Sequence, residues 1–151
     1  LELKRILHQI QENLFIIQSH VAAAMLGGKF KVPSFKVHKV KEVEKIIDGV
    51  EKKLPPLKKF VIPGANETSA WLDFLRAKSR NVERSVLKVF ELKNISINSN
   101  PPSSASWRTM EGQSISNNSN ILPYMNRLSS LFFALARWEA RNKKEQNPSY
   151  K

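Results

Sequence analysis

The sequence predicts an all-α protein that folds as an up-and-down helical bundle. Apolar residues recur with a period near 3.6 residues in four long segments, which is typical of amphipathic helices. Only five of the 151 residues are glycine, and no segment shows a convincing strand pattern. A chain of this length forms one domain with a single hydrophobic core. We assign residues 1–143 to that domain and residues 144–151 to a polar tail.

The first half of the chain predicts two helices. The first is expected over residues 1–26, where the apolar period persists until Gly27-Gly28 stops it. Residues 29–40 alternate basic and apolar side chains around a proline, which indicates an extended connector. The second helix is expected from residue 40 to residue 54, because Pro55-Pro56 cannot continue a helix.

The second half predicts two more helices separated by a long loop. Asn66 is a suitable N-cap for a third helix over residues 67–92. Residues 93–121 are rich in Ser, Asn and Pro, which favours a loop. A fourth helix follows over residues 122–143, with Pro123 in its first turn. Because the chain begins within a helical pattern, we expect a preceding segment to add a fifth helix.

The composition excludes several kinds of site. The chain has no cysteine, so disulfides, thiolate metal sites and a cysteine nucleophile are ruled out. His8 and His20 lie in one helical segment but twelve residues apart, so they cannot share a metal as an i, i+4 pair would. We therefore predict no metal-binding residues.

The charge of the chain indicates an anionic partner. Lys and Arg number 25 against 13 acidic residues, which gives a net charge of +12. Such a protein attracts nucleic acid, a membrane surface or a polyphosphate ligand. No apolar run is long enough to span a bilayer and no signal-peptide pattern opens the chain, so we expect a cytoplasmic protein without a membrane partner.

The segment LRAKSRNVERSV, residues 75–86, carries Arg76, Arg80 and Arg84 at intervals of four. On a helix this spacing places three guanidinium groups on one face, although like charges four apart cost a few tenths of a kcal/mol per pair. The face is either solvated, or a track for nucleic acid, or a site for a compact polyanion. It is about as long as a triphosphate, roughly 12 Å, and arginine binds phosphate oxygens in a bidentate manner.

A polyanion site would need further polar groups. Glu83, on the same helix, is placed to orient the guanidinium groups by ion pairing. The fourth helix offers candidates in the segment YMNRLSS, namely Asn126, Arg127, Ser129 and Ser130. Nucleic acid is the less favoured partner, because basic residues are scattered over the chain and no aromatic residues alternate with them.

Three stretches resemble one known family. The stretches are LPPLKKFVIPGANETSAWLDFLRAKSRNVERSVLKVFE, ILPYMNRLSSLFFALARWEARNK and the opening LKRILHQIQENLFIIQSHVA. In order and spacing they resemble the ATP:cob(I)alamin (corrinoid) adenosyltransferases of the PduO-like class. The resemblance implies a five-helix bundle that assembles as a homotrimer with active sites between subunits.

The resemblance also implies a reaction and its partners. Cobalamin is reduced to the Co(I) state by a reductase partner, and the cobalt attacks the 5′ carbon of ATP. The cobalt–carbon bond forms, triphosphate leaves, and adenosylcobalamin is the product, with Mg²⁺ on the triphosphate. The protein would contribute positioning and electrostatics, because the cofactor carries the difficult chemistry.

Seven residues stand at functional positions of that family, and all but Asn81 match the family's residue type there. Arg76 matches an arginine that pairs with an Asp from the N-terminal region and orders the site, and Phe60 matches the aromatic residue that displaces the lower axial ligand of the corrin. Both are predicted to act in catalysis. The residues predicted to bind ATP are Arg80, Asn81, Glu83, Arg84 and Asn126.

The sequence departs from the family pattern at four positions. Asn81 replaces a second consecutive arginine, Asp73 a histidine, Ala65 a second glycine, and Ser130 an aspartate. The family's N-terminal ATP loop and the Asp that pairs with Arg76 are expected before residue 1. Two alternative functions therefore remain: a basic helical module that binds nucleic acid, and a family member that binds corrinoid with weak activity.

Overall fold

The computed structural model describes residues 2–27, 30–58, 60–99 and 120–142. Within these ranges the chain forms helices and no strand, so the predicted all-α class is confirmed. The helices of this part of the chain are α1 (Leu3–Leu26), α2 (His38–Glu51), α3 (Glu67–Ser99) and α4 (Ile121–Ala140).

Helices α1 and α2 run in opposite directions. Gln9 donates a hydrogen bond to Glu42, 2.8 Å away, and one turn further along α1 Asn13 accepts one from Lys39, one turn earlier in α2. Residue numbers rise in one helix as they fall in the other, which defines an antiparallel pair.

Helices α3 and α4 are also antiparallel. Asn66, just before α3, donates a side-chain hydrogen bond of 2.9 Å to the backbone oxygen of Glu139, near the end of α4. Further along α3, Glu83 accepts a hydrogen bond from Asn126, near the start of α4.

Helices α2 and α4 are parallel. Arg127, in the first half of α4, pairs with Glu44, in the first half of α2. Arg137, near the end of α4, binds the backbone of Pro55, just after α2. Successive helices therefore alternate in direction, and the up-and-down bundle is confirmed.

Helix α4 supplies much of the core. Its apolar face combines fully buried leucines with aromatic rings, whereas α1, α2 and α3 each contribute one apolar stripe. The buried residues of α4 are Ile121, Tyr124, Met125, Leu128, Leu131, Phe132, Ala134, Leu135 and Ala136.

A buried polar contact joins α1 to α4. The side-chain amide of Asn13, which is 2% exposed, donates a hydrogen bond of 3.1 Å to the hydroxyl of Tyr124. The pKa of Tyr124 is raised from 10.0 to about 12: burial raises it most, the hydrogen bond from Asn13 lowers it in part, and the charge of Glu42 adds a smaller increase. The phenol is therefore neutral and part of the core.

The connector between α1 and α2 has no regular secondary structure over residues 30–36, but residues 38–40, which were predicted to belong to it, form the first turn of α2. The connector also contributes to the core. Its Phe35 is 2% exposed and packs edge-on against Tyr124, with ring centroids 5.1 Å apart. Buried His20 donates a hydrogen bond of 2.7 Å from Nε2 to the backbone oxygen of Pro33. At the end of α1, Gly27 adopts a left-handed conformation with φ of 66°, which ends the helix as its sequence predicts.

The predicted loop over residues 93–121 is wrong in its first part. Helix α3 continues to Ser99, seven residues beyond the predicted end at Leu92. The segment from 93 to 99 contains no glycine or proline, and its Asn and Ser residues weaken a helix only slightly. The first strong helix breaker is Pro101. Residues 100–119 and the predicted tail, 144–151, lie outside the described residues.

Candidate functional site

Helix α3 begins with a reciprocal cap that fixes its first turn. The side-chain oxygen of Asn66 accepts a hydrogen bond of 2.8 Å from the backbone N–H of Ser69, whose hydroxyl accepts one of 2.9 Å from the N–H of Asn66. This arrangement satisfies backbone donors that a helix start leaves free. The prediction that Asn66 is the N-cap is confirmed.

The three arginines of α3 lie on an exposed face. Arg76, Arg80 and Arg84 are exposed, whereas Ser79, in the same turns, is buried. The small side chain of Ser79 lets α3 approach its neighbours closely, and its hydroxyl donates to the backbone oxygen of Arg76, 2.8 Å away. The geometry expected from the spacing of the arginines is therefore present.

A polar cluster connects this face to α4. One carboxylate oxygen of Glu83 is 3.1 Å from the guanidinium of Arg80. The other accepts a hydrogen bond of 2.9 Å from the side-chain amide of Asn126. The Glu83 side chain is 19% exposed and that of Arg80 is 46% exposed. We call Arg80, Glu83 and Asn126 the polar cluster; its members were predicted to act together.

Arg76 stands apart from the polar cluster. Its guanidinium carbon is 5.4 Å from the ring centroid of Phe133 on α4, a distance at which a cation is attracted to an aromatic face. The guanidinium of Arg137 lies 6.0 Å from the same ring. Within the described residues Arg76 forms no ion pair, so this arginine is free to receive an acidic group.

Other predicted residues make fewer contacts. Arg84 and the side chain of Asn81 form no hydrogen bond within the described ranges, and both are exposed. Arg127 does not join the polar cluster, because its guanidinium pairs with Glu44 of α2 at 3.0 Å. The hydroxyl of Ser129 donates to the backbone oxygen of Asn126, 3.0 Å away, which is a contact within α4.

Phe60 lies on the loop between α2 and α3, residues 52–66, which we call the Phe60 loop. Its side chain is 86% exposed, and it has no ring contact with another aromatic residue of the described ranges. Gly64 has a φ of 88°, which disfavours any residue with a side chain there. The backbone N–H of Gly64 donates to Asp73 of α3, 3.1 Å away, so the departure from the family pattern at Asp73 serves to hold this loop.

Both ends of the Phe60 loop are attached to the last turn of α4. At one end the guanidinium of Arg137 donates a hydrogen bond of 2.6 Å to the backbone oxygen of Pro55. At the other end Asn66 bonds to the backbone oxygen of Glu139. Sequence reasoning missed Arg137 and its neighbour Phe133, although their i, i+4 spacing on a helix next to the arginine helix is a signal that could have found them.

The part of the chain that the structure describes offers no cluster of three or more metal-binding side chains. Helices of that part also lack the combination of length and apolar character that crossing a membrane requires. The groups that meet beside α3 are guanidinium groups, an amide and one partly buried carboxylate. They suit an anion with several oxygen atoms.

Comparison with known proteins identifies relatives over most of the chain. Residues 1–139 match the family model described as cobalamin adenosyltransferase. The corrinoid adenosyltransferase MMAB of Mus musculus is 30% identical over 121 residues, which cover 80% of this chain and 42% of that protein. The corrinoid adenosyltransferase MMAB of Homo sapiens is 29% identical over 147 residues, which cover 95% of this chain and 50% of that protein.

A bacterial relative agrees with these. The corrinoid adenosyltransferase of Citrobacter freundii is 28% identical over 138 residues, which cover 91% of this chain and 66% of that protein. The chain thus spans about half the length of the first two relatives, and the match extends over all four helices described above. This chain belongs to the cobalamin adenosyltransferase family.

Proposed function

We propose that this protein transfers the 5′-deoxyadenosyl group of ATP to the cobalt of reduced cobalamin, giving adenosylcobalamin and triphosphate. The observation that carries the proposal is the polar cluster. Two helices of a family member bring Arg80, Glu83 and Asn126 together on an exposed basic face, at positions where the family resemblance implies ATP contacts. The relatives named as corrinoid adenosyltransferases support the same reaction.

Within this proposal the polar cluster orients Arg80 toward the triphosphate. Glu83 accepts from Arg80 with one oxygen and from Asn126 with the other, which restricts the rotation of the guanidinium. A restricted guanidinium loses less conformational entropy when it binds phosphate oxygens. Arg84 and Asn81 extend the same face and would contact ATP from the exposed side of α3.

Phe60 and Arg76 would act on the other substrate and on the order of the site. An exposed aromatic side chain on a loop that is held at both ends is suited to pack against the lower face of a corrin. Displacement of the lower axial ligand makes the cobalt easier to reduce. Arg76, seated on the ring of Phe133, would receive the Asp of the N-terminal region that the family resemblance implies.

Several further features belong to the proposal. Since the described residues hold no cluster of metal ligands, Mg²⁺ would be bound mainly by triphosphate oxygens and water, as it commonly is in nucleotide sites. A homotrimer with active sites between subunits, a reductase partner and a cytoplasmic location stay predictions. Sedimentation analysis of the purified protein tests the trimer directly.

The test of the reaction uses the protein in its full natural length. Mixed with ATP, Mg²⁺ and chemically reduced cobalamin, it should shift the corrinoid absorption spectrum to that of the adenosylated form and release one triphosphate per corrinoid. A reaction without ATP is the control. Absence of both the shift and triphosphate release would overturn the proposal.

Binding measurements distinguish the two alternatives that the sequence leaves open. A family member with weak activity would bind cobalamin in a calorimetric titration without forming product; its departures at Ala65, Asp73, Asn81 and Ser130 would be the first positions to restore. A nucleic-acid-binding module would bind single or double strands with an affinity that falls steeply as the salt concentration rises. ATP would weaken this binding only by competing for the same positive charge.

A further inference from the structure

We infer that Arg137 is a positioning residue that holds the Phe60 loop in place and connects it to the arginine helix α3. The inference rests on the proposed function and deepens it. It assigns a role to Arg137, which is not among the residues that the family resemblance implicates. Its basis is a series of contacts that runs from Pro55 through Arg137 and Phe133 to Arg76.

The Phe60 loop is attached to the helices at three points. Its two ends, at Pro55 and Asn66, bind residues that are two positions apart in the last turn of α4. Asp73 adds a third attachment through the N–H of Gly64. With its base fixed at these points, the loop presents Phe60 at a defined place, although the ring itself is 86% exposed.

Arg137 differs from the other residues that hold the Phe60 loop. Asn66 belongs to the cap of α3 and is needed for that helix whatever the loop does. At the α2 end of the loop Lys53 lies 5.9 Å from the ring of Trp138, whereas Arg137 binds the backbone itself with a charged donor at 2.6 Å. Hydrogen bonds from charged groups are stronger and more directional than neutral ones, so this contact fixes the path of the chain after Pro55.

The ring of Phe133 lies between Arg137 and Arg76 in this series of contacts. It lies within 6.0 Å of both guanidinium carbons, that of Arg137 and that of Arg76. A planar guanidinium rests on an aromatic face in few orientations. The ring therefore restricts Arg137 and Arg76 together, and any movement of the Phe60 loop that pulls on Arg137 disturbs the seat of Arg76.

An arginine at position 137 destabilises the folded protein in one respect, so stability alone does not explain it. Its Nε is buried, and in the described part of the chain it meets no hydrogen-bond acceptor. A buried donor without an acceptor disfavours folding. A methionine of similar length would fill the same space without that penalty. Positioning of the loop explains the guanidinium better than general packing does.

The experiment compares Arg137→Met with Arg141→Met in the full-length protein. Arg141, the residue after α4, stacks on Trp138 at 4.2 Å and donates to the backbone oxygen of Trp138. Its guanidinium has no direct contact with the described residues of the Phe60 loop, whose Lys53 lies over the same Trp138 ring at 5.9 Å, so Arg141→Met is a control for loss of a stacked arginine at this end of the bundle. The measurements are the dissociation constant for ATP, the spectrum of bound cob(II)alamin at saturating ATP, which reports whether the lower axial ligand is attached, and the rate of reduction to Co(I).

We expect Arg137→Met to fold, to bind ATP within twofold of wild type, and to leave the lower axial ligand attached in a larger fraction of the bound corrinoid. Reduction should slow about tenfold, the effect of losing one charged hydrogen bond at the site. Arg141→Met should resemble wild type. Arg137→Lys, which keeps a charged donor but cannot stack as a plane, should restore part of the loss and remains informative if the methionine variant fails to fold.

A double variant gives the sharpest outcome. If Arg137 acts through Phe60, then Arg137→Met combined with Phe60→Ala should be no slower in reduction than Phe60→Ala alone. Additive losses, or a spectrum of Arg137→Met equal to that of wild type, would overturn the inference. A wild-type protein without adenosylation activity would instead overturn the proposed function, so the two failures are distinguishable.

Discussion

The side-chain amide of Asn126 donates a hydrogen bond of 2.9 Å to the carboxylate of Glu83. The two residues are 43 positions apart and belong to different helices, so the contact depends on how α3 and α4 are aligned. The same carboxylate binds Arg80. An ion pair within α3 is thus held in place by a neutral donor from α4, with the charge of Glu83 at its centre.

Glu83→Gln keeps the size of the side chain but abolishes its ion pair with Arg80. We expect the KM for ATP to rise about fivefold, because the guanidinium is no longer restrained and one charged hydrogen bond is lost. The melting temperature should change little, since pairs this exposed contribute about 0–1 kcal/mol. Glu44→Gln, which breaks the pair with Arg127, is the matched control and should leave the KM unchanged. Tighter binding of ATP by Glu83→Gln would contradict the orienting role.

Arg80→Ala removes the guanidinium that we assign to the triphosphate. Each hydrogen bond from a charged group to a ligand contributes about 1.5–3 kcal/mol, so the dissociation constant for ATP should increase at least tenfold. Equilibrium binding of ATP by calorimetry measures it. Arg127→Ala, an arginine of similar exposure on the other side of α4, should bind ATP normally. If Arg80→Ala binds ATP as tightly as wild type, the phosphate assignment is wrong.

Phe60→Ala separates corrin chemistry from ATP binding. The ring is 86% exposed, so its removal should change the free energy of unfolding by less than about 0.5 kcal/mol. We expect an unchanged affinity for ATP and a slower reduction of bound cob(II)alamin, followed as the appearance of the Co(I) spectrum. Phe15→Ala on α1, where the ring is 75% exposed, serves as the control and should alter neither quantity. An unchanged reduction rate in Phe60→Ala would make Phe60 a surface residue without a role.

Tyr124 predicts how stability depends on alkaline pH. Its pKa is about 12 in the folded protein, raised first by burial and then by Glu42, against 10.0 for an unperturbed phenol. Above pH 10 the unfolded chain loses the proton while the folded one retains it, so the unfolding free energy falls as the pH rises from 10 to 12. The loss attributable to this residue is of the order of 2–3 kcal/mol, because one pKa unit corresponds to about 1.4 kcal/mol.

Denaturant titrations of wild type and Tyr124→Phe between pH 8 and pH 12 measure that loss by difference, since lysines titrate equally in both proteins. The variant leaves the amide of Asn13 without its acceptor, so it should be less stable at pH 8. The gap between the two proteins should then close as the pH rises. Parallel stability curves would show that the phenol does not stay protonated in the fold.

The sequence predicted the helices and their faces because those depend on local order. A period of 3.6 residues placed the three arginines on one face of α3, and Asn66 was identifiable as a cap from its position before Glu67. The end of α3 was predicted less well. Seven residues of moderate helix propensity after Leu92 continue the helix in the absence of a strong breaker, which composition alone does not reveal.

Contacts between helices were accessible only in part. Glu83 and Asn126 were each selected as polar residues near the arginines, yet their hydrogen bond requires the relative alignment of two helices that are separated by a long segment. The pairing of Arg127 with Glu44 shows the same limit, since neighbouring residues of α4 face different helices. Arg137 binds a backbone oxygen, that of Pro55, so the identity of residue 55 gives no indication of the contact.

Two of the contacts that join α3 to α4, Asn66 to Glu139 and Glu83 to Asn126, fix the helices to each other at separate heights. One residue inserted or deleted between them would turn the rest of α3 by about 100° and shift it by about 1.5 Å. Glu83 would then point away from α4, and the cap at Asn66 could not compensate. Residues 67–82 are therefore constrained in number. Substitutions on their exposed surface, apart from Arg76, Arg80 and Asn81, should be tolerated where insertions and deletions are not.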